Sequence, residues 1–192
     1  MLFLIASKPC LSIKLISIEG LLQSCELSLN PSGFQLSWDD DQLPPNLLEQ
    51  IQRFLLAYAE KKEPSERPPL DHTHFPPFTH SVLSHLSTIP FGKTTTYGDI
   101  AAKLGKEKGA RAVGNACGSN PFPLLIPCHR VLAKGNLLGG FSCGIEIKKE
   151  LLDFEGIAIS PNKTTLKAME HAKKGKTIKA KNFDDICDLV GI

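Results

Sequence analysis

One cysteine in this chain of 192 residues has neighbours that could make it reactive. Cys128 follows Pro127 and precedes His129 and Arg130. Cysteine attacks as the thiolate, and a nearby imidazolium or guanidinium lowers the pKa of a thiol by one to several units from about 8.5. We therefore expect Cys128 to be a nucleophile with a lowered pKa, although most free cysteines are small buried side chains.

The backbone must bend for His129 to assist the thiol. Successive side chains of an extended segment point in opposite directions, so His129 needs either a turn at this point or a bridging water. Three prolines (Pro121, Pro123 and Pro127) stiffen the approach to Cys128. A rigid loop with apolar walls is suited to present one polar group to a ligand.

The motifs around this loop resemble those of the O6-alkylguanine-DNA alkyltransferases, also called methylated-DNA–protein-cysteine methyltransferases. The resemblance runs from about Phe78 to Gly156. Its motifs are FGKTTTYGDIA at 91–101, ARAVG at 110–114, NP at 120–121, IPCHRV at 126–131, GFS at 140–142, LL at 151–152 and EG at 155–156. Each motif alone is weak, but together, in the family's order and spacing, they indicate membership.

The resemblance implies a DNA repair protein that transfers an alkyl group from O6 of guanine, and from O4 of thymine, irreversibly to its own Cys128. His129 would activate the thiol through a water and be oriented by Glu155, while Tyr97 would donate to N3 of the base. Such a transfer needs a thiolate, an extruded base and donors for the leaving guanine. No cofactor and no metal are implied.

A second group of residues is implied to bind the base or the DNA. These are Arg111, Asn120, Ser142, Phe141, Arg130, Ala110 and Gly114. Arg111 would fill the place of the extruded base, Asn120 would tie the recognition helix to the nucleophile loop, and a backbone N–H near Ser142 would bind O6. The implied partner is double-stranded DNA containing O6-alkylguanine, and the protein would act as a monomer.

Two positions depart from the family pattern. Phe141 stands where an aromatic residue with a hydroxyl is usual, and Cys143 stands where glycine is usual. The first change removes a possible hydrogen bond, and the second adds a side chain beside the pocket. The sequence therefore supports activity on methyl adducts more strongly than activity on bulky adducts.

Local patterns predict the elements that must position these residues. Apolar spacing predicts helices from Phe78 to about Ile89 and over 146–154, and Thr96 with Asp99 forms a T-x-x-D box that starts another helix. A further helix of small residues, 110–117, follows a short basic turn. Two short helices joined by a turn favour a helix-turn-helix, with a helical hairpin in a core as the alternative.

The N-terminal part predicts strands and one helix. Apolar runs at 2–6, 11–18, 27–29 and 34–38 indicate antiparallel strands, and a helix should run from 44–45 to about Lys61 before a proline-rich linker at 63–77. Cys10 and Cys25 with His72 or His74 do not have the spacing of a compact zinc site.

We thus predict an α/β fold in three segments. Residues 1–71 form a small strand-rich α/β domain with linker, which the resemblance implies is ribonuclease-H-like. Residues 72–158 form a mostly helical domain with the helix-turn-helix, and residues 159–192 form a basic extension that is disordered or weakly helical.

Composition and charge limit the function classes. The six cysteines contain no CxxC pair, which favours reduced thiols in the cytoplasm, and the apolar start of the chain is too short to span a membrane. Residues 1–71 hold 6 Lys and Arg against 10 Asp and Glu, whereas residues 72–192 hold 16 against 10. A basic C-terminal part favours a polyanionic partner.

Two alternative functions remain open from sequence. One is a DNA-binding protein that senses damage without chemistry, against which Cys128 argues. The other is a cysteine hydrolase built on Cys128, His129 and Glu155, which would turn over repeatedly where an alkyltransferase is consumed.

Overall fold

In a computed structural model of the protein, the described residues are 2–38, 43–64, 66–71 and 74–159. They form a mixed α/β fold, as predicted. All but the first residue of the extension predicted at 159–192 lies outside these residues, as does His72. No helix within the described ranges is long and apolar enough to cross a membrane.

A four-stranded sheet opens the chain. Its strands are β1 (Leu2–Ala6), β2 (Leu11–Ile18), β3 (Leu21–Leu29) and β4 (Phe34–Trp38), in the order β1-β4-β2-β3. The pairs β1–β4 and β2–β3 are antiparallel, but β2 and β4 are parallel. The expectation of antiparallel strands throughout is therefore wrong for the pairing of β4 with β2. The chain crosses from β3 to the other side of β2 and then runs in the direction of β2.

The third strand also begins earlier than the predicted start at 27. Its first half lies at an edge of the sheet and is mostly exposed or partly exposed, so it lacks the buried apolar run that marks a strand in sequence. Pairing with β2 makes this half a strand.

Helix α1 (Pro45–Ala59) packs on the sheet. Proline suits the first helical turn because the amide it lacks would have no partner there. The helix buries Ile51, Phe54, Leu55 and Tyr58, a side that is apolar at helical spacing. Full burial of such a side chain stabilises a fold by about 1.5–3 kcal/mol.

The remaining elements follow after residue 76. They are α2 (Pro77–Leu86), β5 (Thr95–Thr96), α3 (Tyr97–Lys103), α4 (Ala110–Gly118), a 3-10 turn (Cys128–Arg130), β6 (Val131–Leu132) and α5 (Ile145–Phe154). The predicted helices are confirmed to within a few residues. The capping box is also confirmed, because Thr96 Oγ1 accepts from the amide of Asp99 and Asp99 Oδ2 accepts from that of Thr96.

A short parallel pairing joins the two segments that carry the chemistry. Thr95 pairs with Val131, and Thr96 pairs with Leu132. The 3-10 turn that contains Cys128 ends directly before β6, and Tyr97 comes directly after β5. This pairing therefore holds the nucleophile loop beside the start of α3.

Buried side chains of the sheet, α1 and the later helices form one continuous core. Two backbone amides of the N-terminal part also donate to the later part: the amide of Cys25 donates to Pro121 O at 2.8 Å, and that of Cys10 donates to the side-chain oxygen Glu150 Oε1 at 2.9 Å. Among the described residues, no three His, Cys, Asp or Glu side chains are placed to hold a metal. Cys10, Cys25 and His74 are therefore not clustered around one site.

Candidate active site

The structure buries Cys128 at the start of a tight turn. Its exposed fraction is only 3%, and the 3-10 turn supplies the bend that sequence reasoning required. The Asn120 amide holds the thiol in place, because Nδ2 donates to Cys128 Sγ at 3.0 Å and to Ile126 O at 2.9 Å. Asn120 Oδ1 accepts from the amide of Phe122 at 3.0 Å, which fixes the orientation of the side chain.

Asn120 also lies two residues after the end of the helix that carries Arg111. Its backbone amide donates to Cys117 O at 3.3 Å, at the end of α4. Asn120 thus joins α4 to the Cys128 turn, which is the location expected from sequence.

The next two residues of the turn point to a buried carboxylate. His129 Nε2 lies 2.7 Å from Glu155 Oε1, and both side chains are fully buried. Arg130 donates from Nε to both carboxylate oxygens and from Nη2 to Oε1, at 3.0 to 3.1 Å. The amide of Gly92 donates to Glu155 Oε2 at 3.0 Å, and the hydroxyl of Tyr58 donates to Oε1 at 3.1 Å.

Arg130 does not bind substrate or DNA in this arrangement. Its side chain is 3% exposed, and Nη1 donates to Ile89 O at 2.6 Å while the rest of the guanidinium holds Glu155. The prediction that Arg130 contacts the DNA is therefore wrong, because it is a buried partner of the carboxylate.

Burial decides the protonation state of the thiol. It raises the pKa of Cys128 to about 11, against smaller lowering effects from the Asn120 hydrogen bond and from Lys148. The expected lowering of this pKa is wrong because Arg130 is turned towards Glu155. Burial also lowers the pKa of His129, so the imidazole is neutral at neutral pH. A neutral histidine does not stabilise a thiolate by charge.

The carboxylate remains ionised despite its burial. Burial raises the pKa of Glu155, but the hydrogen bond from His129 and the hydrogen bonds and charge of Arg130 outweigh this effect and lower the pKa to about 2. The permanent charge of Arg130 acts in this direction whatever the protonation state of His129. An ionised carboxylate only accepts hydrogen bonds, so His129 must carry its proton on Nε2 and present a free lone pair on Nδ1.

A narrow cleft leads to the thiol. It is lined by Tyr97, Cys117, Gly118, Cys128, Gly140, Phe141 and Ser142. Tyr97 is 4% exposed, and its hydroxyl donates to Gly140 O at 3.4 Å, which is a long bond. The cleft has room for about one water molecule, so a purine enters only when its walls move.

Two observations concern the loop that bears Phe141. Gly139 has a φ of +64°, and a Cβ there would lie 3.2 Å from the Tyr97 ring, so only glycine allows this close approach. Cys143 does not line the cleft. It lines a separate groove of about 500 Å³ against the sheet, with Ser12 and Leu27 among its walls. The expectation that Cys143 narrows the pocket is therefore not supported.

Lys148 is a buried cation that sequence reasoning missed. Its side chain is fully buried, and Nζ donates to Val131 O at 2.7 Å and to Gly140 O at 3.1 Å. Burial lowers its pKa to about 8, while the Cys128 thiolate would raise it. Lys148 therefore ties the strand after the nucleophile to the glycine-rich loop. Its position three residues before the buried Leu151 was the available signal.

Helix α4 presents a smaller outer surface than expected. Arg111 and Ala112 are exposed, and Ala110 is partly exposed. Gly114 is buried, and its small size serves packing inside the protein, as does that of Ala116. The contact of Gly114 with DNA stays a prediction.

Comparisons with known proteins identify related chains. A family model described as the DNA binding domain of 6-O-methylguanine DNA methyltransferase matches residues 77–157. The chain is 39% identical to the inducible methylated-DNA–protein-cysteine methyltransferase of Bacillus subtilis over 128 residues, which cover 67% of this chain and 68% of the relative. It is 56% identical to that of Methanocaldococcus vulcanius over 80 residues, which cover 42% of this chain and 48% of the relative.

The match to some relatives is thus partial, since the chain spans about half the length of the archaeal protein. Among solved structures, the fold is similar to a crystal structure of Mycobacterium tuberculosis OGT in complex with DNA. The TM-score is 0.57 at 28% identity, and the match covers 75% of this chain and 92% of the other.

Proposed function

The chain belongs to the methylated-DNA–protein-cysteine methyltransferase family, and from this we propose that it repairs DNA by moving an alkyl group from O6 of guanine to the sulfur of its own Cys128. The transferred group is methyl or another alkyl group, and thymine alkylated at O4 is a second substrate. The protein acts once, as a monomer, on double-stranded DNA in a reducing cytoplasmic compartment. All five described cysteines are free thiols, which is consistent with such a compartment.

One observation carries the proposal. The thiol of Cys128 lies at the end of a cleft, held by Asn120, with the His129–Glu155 pair on the same turn. A thiol in this setting needs no metal or cofactor to attack carbon, because the neighbouring base removes its proton.

The base in this mechanism is His129. Nδ1 is buried and has no hydrogen-bond partner among the described protein groups, while Nε2 is held by Glu155. We propose that a water carries the proton from Cys128 Sγ to this nitrogen. Lys148 and Asn120 then stabilise the thiolate, since both lower the pKa of the thiol.

The transfer is an in-line substitution. The S–C bond forms as the C–O6 bond breaks, and the electron pair of that bond passes to the guanine. Tyr97 leaves its long bond to Gly140 O and donates to N3, and a backbone N–H near Ser142 donates to O6. The leaving guanine anion takes up one proton from water and protonated His129 returns one to water, so the products are neutral guanine and a thioether. Side chains do not hydrolyse a thioether, which explains a single turnover.

The base must leave the duplex to reach the thiol. We propose that α3, the turn at 104–109 and α4 act as a helix-turn-helix, with α4 in the minor groove and exposed Arg111 filling the gap. Phe141 stacks on the extruded base. We further propose that the chain is organised as 1–71, 72–158 and 159–192, with a ribonuclease-H-like first part.

A stoichiometry assay tests this function. Protein is incubated with an excess of a duplex that contains O6-methylguanine, and the lesions lost per protein molecule are counted. We expect one lesion per molecule and then no further reaction, while Cys128→Ala binds the duplex and repairs nothing. Repeated turnover would indicate a hydrolase, and binding without repair by the wild type would indicate a damage sensor.

A further inference from the structure

A tyrosine from the N-terminal part reaches the catalytic carboxylate. Tyr58 lies near the end of α1, 97 positions before Glu155 in the chain, and its hydroxyl donates to Glu155 Oε1 at 3.1 Å. Its exposed fraction is 0%. The oxygen that accepts this bond also accepts from His129 Nε2.

Aromatic packing fixes the position of this hydroxyl. The Tyr58 ring lies 6.1 Å from that of Phe34 on the sheet. It also lies 5.4 Å from that of Phe91 and 5.3 Å from that of Phe154. Phe91 and Phe154 belong to the segments that supply Gly92 and Glu155. The ring thus sits between α1, the sheet and the two segments that surround the carboxylate, and has little freedom to move.

The donors around Glu155 leave it one orientation. Oε1 accepts from His129, Arg130 and Tyr58, and Oε2 accepts from Arg130 and the amide of Gly92. A carboxylate has about four lone-pair sites, so this set saturates it. Arg130 holds both oxygens and fixes the plane of the group. Tyr58 approaches the same oxygen as His129 and limits how strongly that oxygen pulls on the imidazole proton.

We propose that Tyr58 is a positioning residue for alkyl transfer, through which helix α1 of the N-terminal part aims the Glu155 carboxylate at His129. This inference rests on the function proposed above and adds a task for the N-terminal part beyond stability. Tyr58 does not touch the substrate cleft and acts only through Glu155 and His129.

The substitution Tyr58→Phe removes only the hydroxyl and keeps the ring. We expect the single-turnover rate constant at saturating duplex to fall about tenfold, a part of the 10²- to 10⁴-fold that general base catalysis supplies. The dissociation constant for the duplex stays the same. Without the Tyr58 donor, the carboxylate binds the His129 proton more tightly, so the acidic limb of the pH–rate profile moves to higher pH.

Other charges near the pair are unchanged by this substitution. Arg130 and Lys148 lower the pKa of His129, and Glu155 raises it. Glu150 and Arg130 act on Tyr58 as well. Because the variant keeps all of these groups, a shift of the limb reports the lost hydroxyl.

A matched control separates positioning from stability. Ile51→Val removes one buried methyl group from the same helix, seven positions away. We expect it to lower the free energy of unfolding slightly, as Tyr58→Phe does. Ile51→Val must keep the wild-type rate and pH profile. An unchanged rate and profile in Tyr58→Phe, or an equal slowing in Ile51→Val, would overturn the inference.

A second substitution works even if Tyr58→Phe does not fold. A ring-fluorinated tyrosine placed at position 58 keeps the hydrogen bond and makes the hydroxyl a stronger donor. The acidic limb must then move to lower pH, and an unmoved limb overturns the inference. If one of these results overturns the inference about Tyr58 while the wild-type protein still accepts a methyl group from the duplex, the proposed function stands. If the wild-type protein accepts no methyl group, both the proposed function and the inference about Tyr58 are wrong.

Discussion

At the scale of single residues, the site depends on how two buried charges are compensated. Glu155 has the guanidinium of Arg130 beside it. Lys148, in contrast, donates to two backbone carbonyls and lies 5.9 Å from the Tyr97 ring, with no carboxylate partner in the described part of the chain. The thiolate of Cys128 raises the pKa of Lys148. The reaction therefore creates the anion that this lysine lacks.

Replacing Lys148 with methionine should slow the transfer. Methionine has a similar length and no charge, so the Cys128 thiolate loses a nearby cation and its pKa rises further. We expect the single-turnover rate at pH 7 to fall about tenfold, which corresponds to about 1.4 kcal/mol. The difference should narrow above pH 8, because wild-type Lys148 loses its own charge there. Lys149→Met, on the exposed side of the same helix, is the control, and a rate ratio independent of pH would contradict the account.

The same substitution should change how stability depends on pH. The pKa of Lys148 is about 8 in the folded chain and 10.5 ordinarily, so between these values the unfolded chain binds more protons. The contribution of Lys148 to the free energy of unfolding therefore rises from pH 8 to 10.5. Urea unfolding at pH 7.5 and 10 should show that the free energy of unfolding rises less, or falls more, between these two pH values in Lys148→Met than in the wild type. An equal change in both proteins would show that Lys148 keeps an ordinary pKa.

Much of the site could be predicted because its residues lie in short motifs. Cys128, His129, Glu155, Tyr97 and Asn120 are close to where the resemblance placed them. The direction of Arg130 could not be predicted, since a sequence does not show whether an arginine near a cysteine turns towards the thiol or towards a carboxylate 25 positions away. Tyr58 was also missed, because a bond across 97 positions leaves no local pattern.

At the scale of elements, local signals and long-range pairing differ in what they reveal. The capping box fixes the start of α3, and its bounds followed from sequence. The parallel pairing of β2 and β4 did not, because each strand has the same apolar alternation whichever neighbour it pairs with. Which side of α4 is exposed likewise follows from long-range packing, because its other side packs against α2 and α3.

The exposed side of α4 carries Arg111, and a substitution there tests the proposed extrusion of the base from the duplex. If Arg111 fills the gap in the duplex, Arg111→Ala should slow repair of duplex DNA about tenfold or more, while the reaction with free O6-methylguanine keeps its rate. Both rates are measured at saturating substrate. Lys106→Ala, in the turn before α4, removes an exposed cation and should weaken duplex binding without changing the rate at saturation. Equal slowing with duplex and free base would place Arg111 in the pocket.

At the scale of the whole molecule, the described residues of two oppositely charged parts of the chain share one core. Residues 1–71 are acidic and residues 72–192 are basic, and Tyr58, Cys10 and Cys25 connect the first part to the second. The N-terminal part thus supports the site through these contacts. The basic part is the one suited to DNA.

The lysines after residue 160 should add to DNA affinity without adding to catalysis. Seven lysines lie between Lys163 and Lys181. Each phosphate contact contributes about 0.9 to the slope of log K against log salt, so two or three contacts steepen it by roughly two units. Deleting residues 160–192 should flatten the slope by that amount and leave the rate at saturating DNA unchanged. An unchanged slope would show that these lysines do not contact phosphates.

The central claim is that Cys128 alone accepts the alkyl group, although Cys117 lines the same cleft and Cys143 follows Ser142. The most direct measurement is intact mass after incubation with an O6-methylguanine duplex, followed by peptide mapping of the modified protein. The account predicts a gain of one methyl group per chain, all of it on the peptide that contains Cys128. A methyl group found on Cys117 or Cys143, or no gain in mass while the lesion disappears, would contradict it.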